Sequence, residues 1–185
     1  MKIAFFLFFA AILACLAGCL PFSVNPIYTP ETIITNPAIE GQWEDPGTDE
    51  KYVFLPLDSS SYKMILKKEG VITGIYRAYL LKLEESVYLD ITPIMGTTYD
   101  EIYNNHIMKL HSFYRVEQIE PTLKISLMDH GWLKQYLIDN PTELDYFIQD
   151  ETVILTSSTP KLQKFLIRHA NTENAFGEAS DIVKN

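Results

Sequence analysis

The sequence predicts a mainly β protein, a small antiparallel β-barrel with one or two short helices, one of them near the C-terminus. Most of the chain alternates with a period of two residues in short runs rich in Tyr, Ile, Val and Thr, separated by turn residues. Helical periodicity is confined to two short segments, so we expect no strand-helix-strand crossover. Closing the sheet removes its exposed edges, which favours a barrel over an open sheet.

About eight short strands are predicted, each ending at a turn signal. They span residues 39–44, 52–57, 61–68, 71–83, 87–92, 107–119, 123–128 and 152–156. Residues 99–105, between two of these strands, are predicted to form either a single helical turn or a loop. The strand that follows them pairs with residues 123–128 as a hairpin.

Two helices are predicted in the second half of the chain. The first covers residues 129–140, where Asp129 can cap the N-terminus and Pro141 stops the helix. The second covers residues 160–170, where Ser158 occupies the N-cap region and a proline stands at the first helical position. Each helix is short, so both are expected to pack on the sheet.

The N-terminus carries the pattern of an export signal, predicted over residues 1–18. Lys2 precedes an uncharged apolar run from Ile3 to Ala17, which is shorter than the about 20 residues of a membrane-spanning helix. The run ends in Leu16-Ala17-Gly18-Cys19, which resembles the lipobox of bacterial lipoproteins. That resemblance implies cleavage after Gly18, a diacylglycerol thioether on Cys19 and an N-acyl chain such as palmitate. An ordinary secretory signal, with an incidental thiol at Cys19, is the alternative.

The remaining chain divides into a tether, a domain and a tail. Residues 19–37 hold the lipidated cysteine and a Pro-rich stretch that favours extended backbone. We predict a spacer here, although Ile27-Tyr28 and Ile33-Ile34 could equally pack on the outside of the domain. The β-barrel domain is predicted over residues 38–170. Residues 171–185 are polar and are predicted to form a frayed tail.

A Gly-x-Trp sequence on the first predicted strand, Gly41-Gln42-Trp43, is similar to the lipocalin and wider calycin pattern. The resemblance implies a barrel whose end is covered by the Trp, with a basic side chain from a late strand packed on the ring. A broader resemblance, to a group of uncharacterised bacterial lipoproteins, covers most of the mature chain. It is carried by residues 26–29, 41–43, 89–93, 106–111, 132–133 and 155–163. This group implies fold and location but no activity.

Aromatic residues on the predicted strands are the candidate ligand-binding groups. Those predicted to line the barrel are Trp43, Tyr62, Tyr76, Tyr88 and Tyr114. Aromatic walls with few charges suit a small hydrophobic ligand. They equally suit a filled core, since a barrel of about eight strands can be completely packed. A filled interior is the favoured alternative.

Candidate catalytic and metal-binding groups are few. His106 and His111 lie five residues apart, which places them on opposite faces of a strand, so we expect no metal site. Asp90 lies among apolar residues and needs a partner if buried. We expect it to cap a turn or to pair with Arg77 or Arg115 from another strand, and a general-acid role is the alternative.

A Ser-His-Asp hydrolase is the least favoured interpretation. Asp129-His130 could supply the Asp and His of such a triad. However, the sequence contains no Gly-x-Ser-x-Gly elbow for the nucleophile, and Ser59-Ser60-Ser61 has the pattern of a polar loop. We therefore expect neither catalysis nor a cofactor.

The expected function is non-catalytic binding by a lipid-anchored protein of the bacterial cell envelope. A formal net charge of -9 argues against nucleic acid as a partner, because that affinity comes mainly from Lys and Arg. The expected partners are the membrane, through the lipid on Cys19, and either a small hydrophobic ligand or another envelope protein. In a Gram-negative source, Leu20 after the cysteine favours the periplasmic face of the outer membrane.

Overall fold

The computed structural model describes residues 20–94 and 108–185, and it shows a mainly β protein with a closed eight-stranded barrel. The strands are β1 (Phe22–Ser23), β2 (Ile33–Ile34), β3 (Gly41–Glu44), β4 (Glu50–Pro56), β5 (Tyr62–Lys68), β6 (Val71–Leu83), β7 (Ser86–Pro93), β8 (Ser112–Gln118), β9 (Thr122–Leu127), β10 (Tyr146–Gln149), β11 (Thr152–Leu155) and β12 (Ser180–Lys184). The helices are α1 (His130–Asp139) and α2 (Thr159–His169), and a short 3-10 helix covers Pro37–Ile39.

The barrel closes through an unbroken ring of hydrogen-bonded strands. Its order is β6-β5-β4-β3-β12-β9-β8-β7, and β7 pairs with β6 to complete the ring. Every pair in the ring is antiparallel. The predicted fold class, a small antiparallel lipocalin-like barrel with two short helices, is confirmed.

The prediction that residues 171–185 form a frayed polar tail is wrong. β12 lies between β3 and β9, so the end of the chain closes the barrel. Ile182 is the inward anchor of this strand and is 1% exposed, whereas Asp181 faces outward and pairs with Lys124 at 3.2 Å. One inward apolar side chain on a five-residue strand leaves too little alternation for the pattern to be seen.

The predicted spacer over residues 19–37 is also wrong where the structure describes it. β1 pairs in parallel with β11, and β2 pairs with β6 at Leu80 and Leu81, just beyond the place where β5 begins. Ile27 is fully buried. The segment therefore packs on the outer wall of the barrel, as the alternative prediction held, and the folded domain extends beyond residues 38–170 at both ends.

Two hydrophobic cores lie on opposite sides of the barrel wall. The inner core fills the barrel and includes Leu80 and Leu89. The outer core lies between the wall and the two helices. It includes Leu81 and Tyr88, which are the sequence neighbours of Leu80 and Leu89 respectively. Successive residues of β6 and β7 thus enter different cores, because side chains alternate across a strand. Burying both faces keeps the helices and the small sheet β1-β11-β10 fixed on the barrel.

Both helices agree closely with their predictions. The Asp129 side chain accepts a hydrogen bond from the Trp132 N–H at 2.7 Å and caps α1, which ends before Pro141. Ser158 precedes α2 but forms no side-chain cap hydrogen bond. Thr159 Oγ1 donates instead to the Pro26 carbonyl at 2.7 Å, which joins the helix start to the N-terminal segment.

Several predictions fall on residues 1–19 and 95–107, which lie outside the described part of the chain. They are the signal over residues 1–18, the lipid site at Cys19, the turn or loop at residues 99–105, and His106. Among the described helices, none is both long and apolar enough to cross a membrane.

Candidate ligand-binding cavity

One end of the barrel is closed around Trp43. The Trp43 indole Nε1 donates to the Ile39 carbonyl at 2.7 Å, which ties the ring to the 3-10 helix that crosses this end. Lys184, from the last strand, places its Nζ 5.0 Å from the centroid of the Trp43 ring and donates to the Ala38 carbonyl at 2.8 Å. A basic side chain from a late strand thus packs on the Trp43 ring, as we expected for this end of the barrel.

Apolar side chains fill the interior above Trp43. Phe54 and Leu123 are 1% exposed, and Tyr62 lies with them while its hydroxyl accepts from the Asn36 N–H at 2.8 Å. A void of about 40 Å³ remains at the level of Phe54. The interior of this half has no room for a ligand, because ligand pockets hold about 300–1,000 Å³.

In the other half of the barrel, the described residues enclose an open cavity. A cavity of about 740 Å³ opens at the end where β4 begins and β9 ends. Its described lining consists of Leu20, Asp45, Glu50, Tyr52, Tyr114, Ile125, Leu127, Gly177, Glu178, Ser180 and Ile182. Four of these, Tyr52, Tyr114, Ile125 and Ile182, also line the small void, so the cavity continues the barrel interior. The predicted filled interior therefore holds for one half only.

Two tyrosines form the aromatic wall of the cavity. Burial of the Tyr114 phenol raises its pKa to about 12, with Tyr76 and Glu50 adding to the effect. The Tyr52 hydroxyl donates to Glu50 Oε2 at 3.0 Å, and burial together with this hydrogen bond raises the pKa of Tyr52 well above its ordinary value. Both phenols thus stay protonated; the Tyr52 O–H is already donated to Glu50, whereas the Tyr114 O–H can donate to a ligand.

Tyr76 lies near these phenols on β6, against the backbone of Gly74. A Cβ added at Gly74 would lie 2.4 Å from a carbon of the Tyr76 ring. Only glycine leaves room for the ring at this point. The position of Tyr76 on the inner face of the wall is therefore fixed by the glycine two residues before it.

The predicted site residues divide between the two sides of the wall. Trp43, Tyr62, Tyr76 and Tyr114 lie with the inner core, but Trp43 and Tyr62 belong to the closed end. The prediction that Tyr88 lines the barrel is wrong, because its ring packs in the outer core, 6.3 Å from that of Phe176.

Sequence reasoning missed Tyr52 and Glu50, which face the cavity from β4. Tyr52 pairs directly with Trp43 across the β3–β4 hairpin. The predicted inward position of Trp43 could therefore have indicated that Tyr52 also points inward. Residues directly opposite on paired strands share a face of the sheet.

Asp90 forms a second polar cluster, outside the barrel. It is 0% exposed, its Oδ1 lies 2.7 Å from His111 Nδ1, and its Oδ2 accepts the Ile27 N–H at 2.9 Å. The expected partners were wrong: Arg77 lies 3.6 Å from Asp58, and Arg115 pairs with Glu117.

The Asp90 cluster holds the N-terminal segment on the barrel wall. Ser23 exchanges two backbone hydrogen bonds with His111, and the Tyr28 ring stacks on Tyr79 with centroids 4.1 Å apart. In the described part of the chain, no Ser, Thr or Cys side chain hydrogen-bonds to Asp90 or His111. Both carboxylate oxygens already serve the fold, so the cluster has a structural role. The described residues also contain no group of three or more metal-ligating side chains.

The fold and the cavity define a class of protein, a lipocalin-like barrel filled at one end and hollow at the other. No protein-family model, no curated protein and no solved structure matches the chain.

Proposed function

We propose that this protein is a lipid-anchored lipoprotein of the bacterial cell envelope that binds a small hydrophobic ligand in its barrel, without catalysis. The observation that carries the proposal is the cavity of about 740 Å³ in the open half of the barrel. Its volume lies within the range of ligand sites, about 300–1,000 Å³.

The lining of the cavity supports this function. Aliphatic groups from β9 and β12, including Ile125, Leu127 and Ile182, form one wall, and the rings of Tyr52 and Tyr114 lie in the same lining. The phenol groups and the carboxylates at the opening supply a small number of polar contacts. A mainly apolar pocket with a few fixed polar groups is the usual form of a small-molecule site.

The binding proposal is tested by native mass spectrometry of full-length protein extracted from its own host. We expect a co-purifying small molecule on the wild type. Leu127→Trp fills the mouth of the cavity and should abolish the bound mass, whereas Val183→Trp, on the outer face of β12 and 39% exposed, should keep it. A wild-type protein with no bound mass, or bound mass retained by folded Leu127→Trp, contradicts the proposal.

The anchor is supported by the apolar run that ends in Leu16-Ala17-Gly18-Cys19. Lipid on Cys19 would hold the domain at the membrane, on the periplasmic face of the outer membrane in a Gram-negative source. Metabolic labelling with a clickable fatty acid tests it, with Cys15→Ala as the matched control. Label should be lost in Cys19→Ala only; equal labelling of Cys19→Ala contradicts the anchor.

A second candidate function is interaction with another envelope protein. It is favoured by β10, the outer strand of the three-stranded sheet, where Phe147 and Ile148 are 42% and 40% exposed. An apolar sheet edge can accept a strand from a partner. A photo-crosslinking residue at Phe147 should then capture a protein in cells, with Glu85 as the control position. Identical adduct patterns at the two positions would remove this candidate.

A further inference from the structure

The mouth of the cavity is acidic. Its described lining holds three carboxylates, those of Asp45, Glu50 and Glu178, and no Lys or Arg. A fatty acid anion would find no cation among these groups to neutralise its head.

The three carboxylates retain most of their capacity to meet a ligand. Glu50 accepts from Tyr52 at 3.0 Å, and Lys68, directly opposite on β5 and so on the same face of the sheet, reaches its other oxygen at 3.5 Å with a side chain that is 56% exposed. Such an exposed pair contributes little. Asp45 accepts the Gly47 N–H at 2.8 Å within the β3–β4 turn, and Glu178 forms no salt bridge with another described residue.

The carboxylates of the mouth affect the pKa values of the two phenols in the cavity. Burial is the main cause of the raised pKa of Tyr52, and Glu50 and Asp45 raise it further. Glu50 also adds to the effect of burial on the pKa of Tyr114. The negative potential of the mouth therefore reaches down to the aromatic wall, where a cation would be favoured and an anion opposed.

The aromatic wall adds a second attraction for a cation. Tyr52 and Tyr114 both line the cavity, and aromatic faces attract ammonium groups within about 6 Å of the ring centroid. The attraction is stronger for a quaternary or alkyl ammonium than for a strongly hydrated metal ion, because the organic cation loses less hydration. Ile125 and Ile182 below supply an apolar surface for the rest of such a molecule.

We propose that the ligand of this cavity is an organic cation with an apolar body, an amphiphilic amine or quaternary ammonium compound. Its head lies at Glu50, Asp45 and Glu178, beside the Tyr52 and Tyr114 rings, and its alkyl part lies against Ile125 and Ile182. This inference rests on the proposed binding function and names the ligand class for the same cavity.

The experiment uses three probes that share one chain and differ in head charge: octyltrimethylammonium, octanol and octanoate. Each is titrated by calorimetry into full-length protein in lipid nanodiscs, with empty nanodiscs as the reference. We expect the cation to bind at least about tenfold more tightly than octanoate. Glu50→Gln keeps an acceptor for Tyr52 and should weaken only the cation, whereas Glu85→Gln, on an unrelated turn with a 98% exposed side chain, should change nothing.

The outcomes separate this inference from the proposed function. Equal binding of all three probes, or a Glu50→Gln variant that binds the cation as the wild type does, leaves a binding protein and overturns the cationic ligand class. Tighter binding of octanoate overturns it as well. Binding of none of the three probes, in a protein whose circular dichroism shows the folded barrel, overturns the inference together with the hydrophobic-ligand proposal.

Discussion

Replacing Asp90 by alanine tests the role of the buried carboxylate that holds the N-terminal segment. The change removes two hydrogen bonds, the 2.7 Å contact with His111 and the 2.9 Å contact with the Ile27 N–H. Each stranded polar group costs about 1–3 kcal/mol when buried, and breaking a buried pair costs about 3–5 kcal/mol. We expect a loss of about 3–5 kcal/mol from the free energy of unfolding, against a total of about 5–15 kcal/mol.

The assay is urea denaturation of the full-length protein in nonionic detergent at pH near 7, followed by circular dichroism. Asp90→Asn keeps an acceptor for Ile27 and should lose less, about 1–2 kcal/mol. Asp181→Ala is the matched control, since its ion pair with Lys124 is exposed and should contribute less than about 1 kcal/mol. Asp90→Ala and Asp181→Ala variants of equal stability would refute the reasoning.

Three further predictions concern the closed end, the inner wall and the outer core. Lys184→Met should lower the free energy of unfolding by about 1–2 kcal/mol, because the contact with the indole and a carbonyl hydrogen bond are lost. Gly74→Ala should cost about 1–3 kcal/mol by displacing the Tyr76 ring. Burial lowers the pKa of His169, so stability should fall as pH drops below the ordinary histidine pKa of about 6.5, where the unfolded chain takes up the proton first.

Each of these has its own control. Lys124→Met removes an exposed lysine and should change the denaturation midpoint far less than Lys184→Met. The double variant Gly74→Ala, Tyr76→Ala should lose less than the two single variants together, and additive losses would contradict the clash. His169→Gln should lose less stability than the wild type between about pH 7.5 and about pH 5.5. Parallel curves for the two proteins would exclude His169 as the source.

Prediction from sequence succeeded where an element supplies its own signal. β5 and β6 alternate over enough residues to be recognised, and Asp129 and Pro141 mark the ends of α1. β1, β2 and β12 have no such signal. They are two to five residues long and form because a partner strand or an inward side chain such as Ile182 fixes them.

The cavity was only partly predictable, because alternation does not say which face is inside. On β7 both faces are apolar: Leu89 enters the barrel and Tyr88 the outer core, since the helices cover the wall. The partner of Asp90 depends on the β7–β8 register, which sets Asp90 opposite Phe113 and so brings His111 near. The register arises from pairing between distant residues, which no local pattern contains.

Leu20, the first described residue, lines the mouth of the cavity. Consecutive Cα atoms lie about 3.8 Å apart, so a lipid on Cys19 would be attached at the rim of the opening. With the proposed anchor, the open end of the barrel would then face the lipid headgroups. Cargo could pass laterally between bilayer and protein without a step through open water, and the membrane itself would be the reservoir from which this barrel fills.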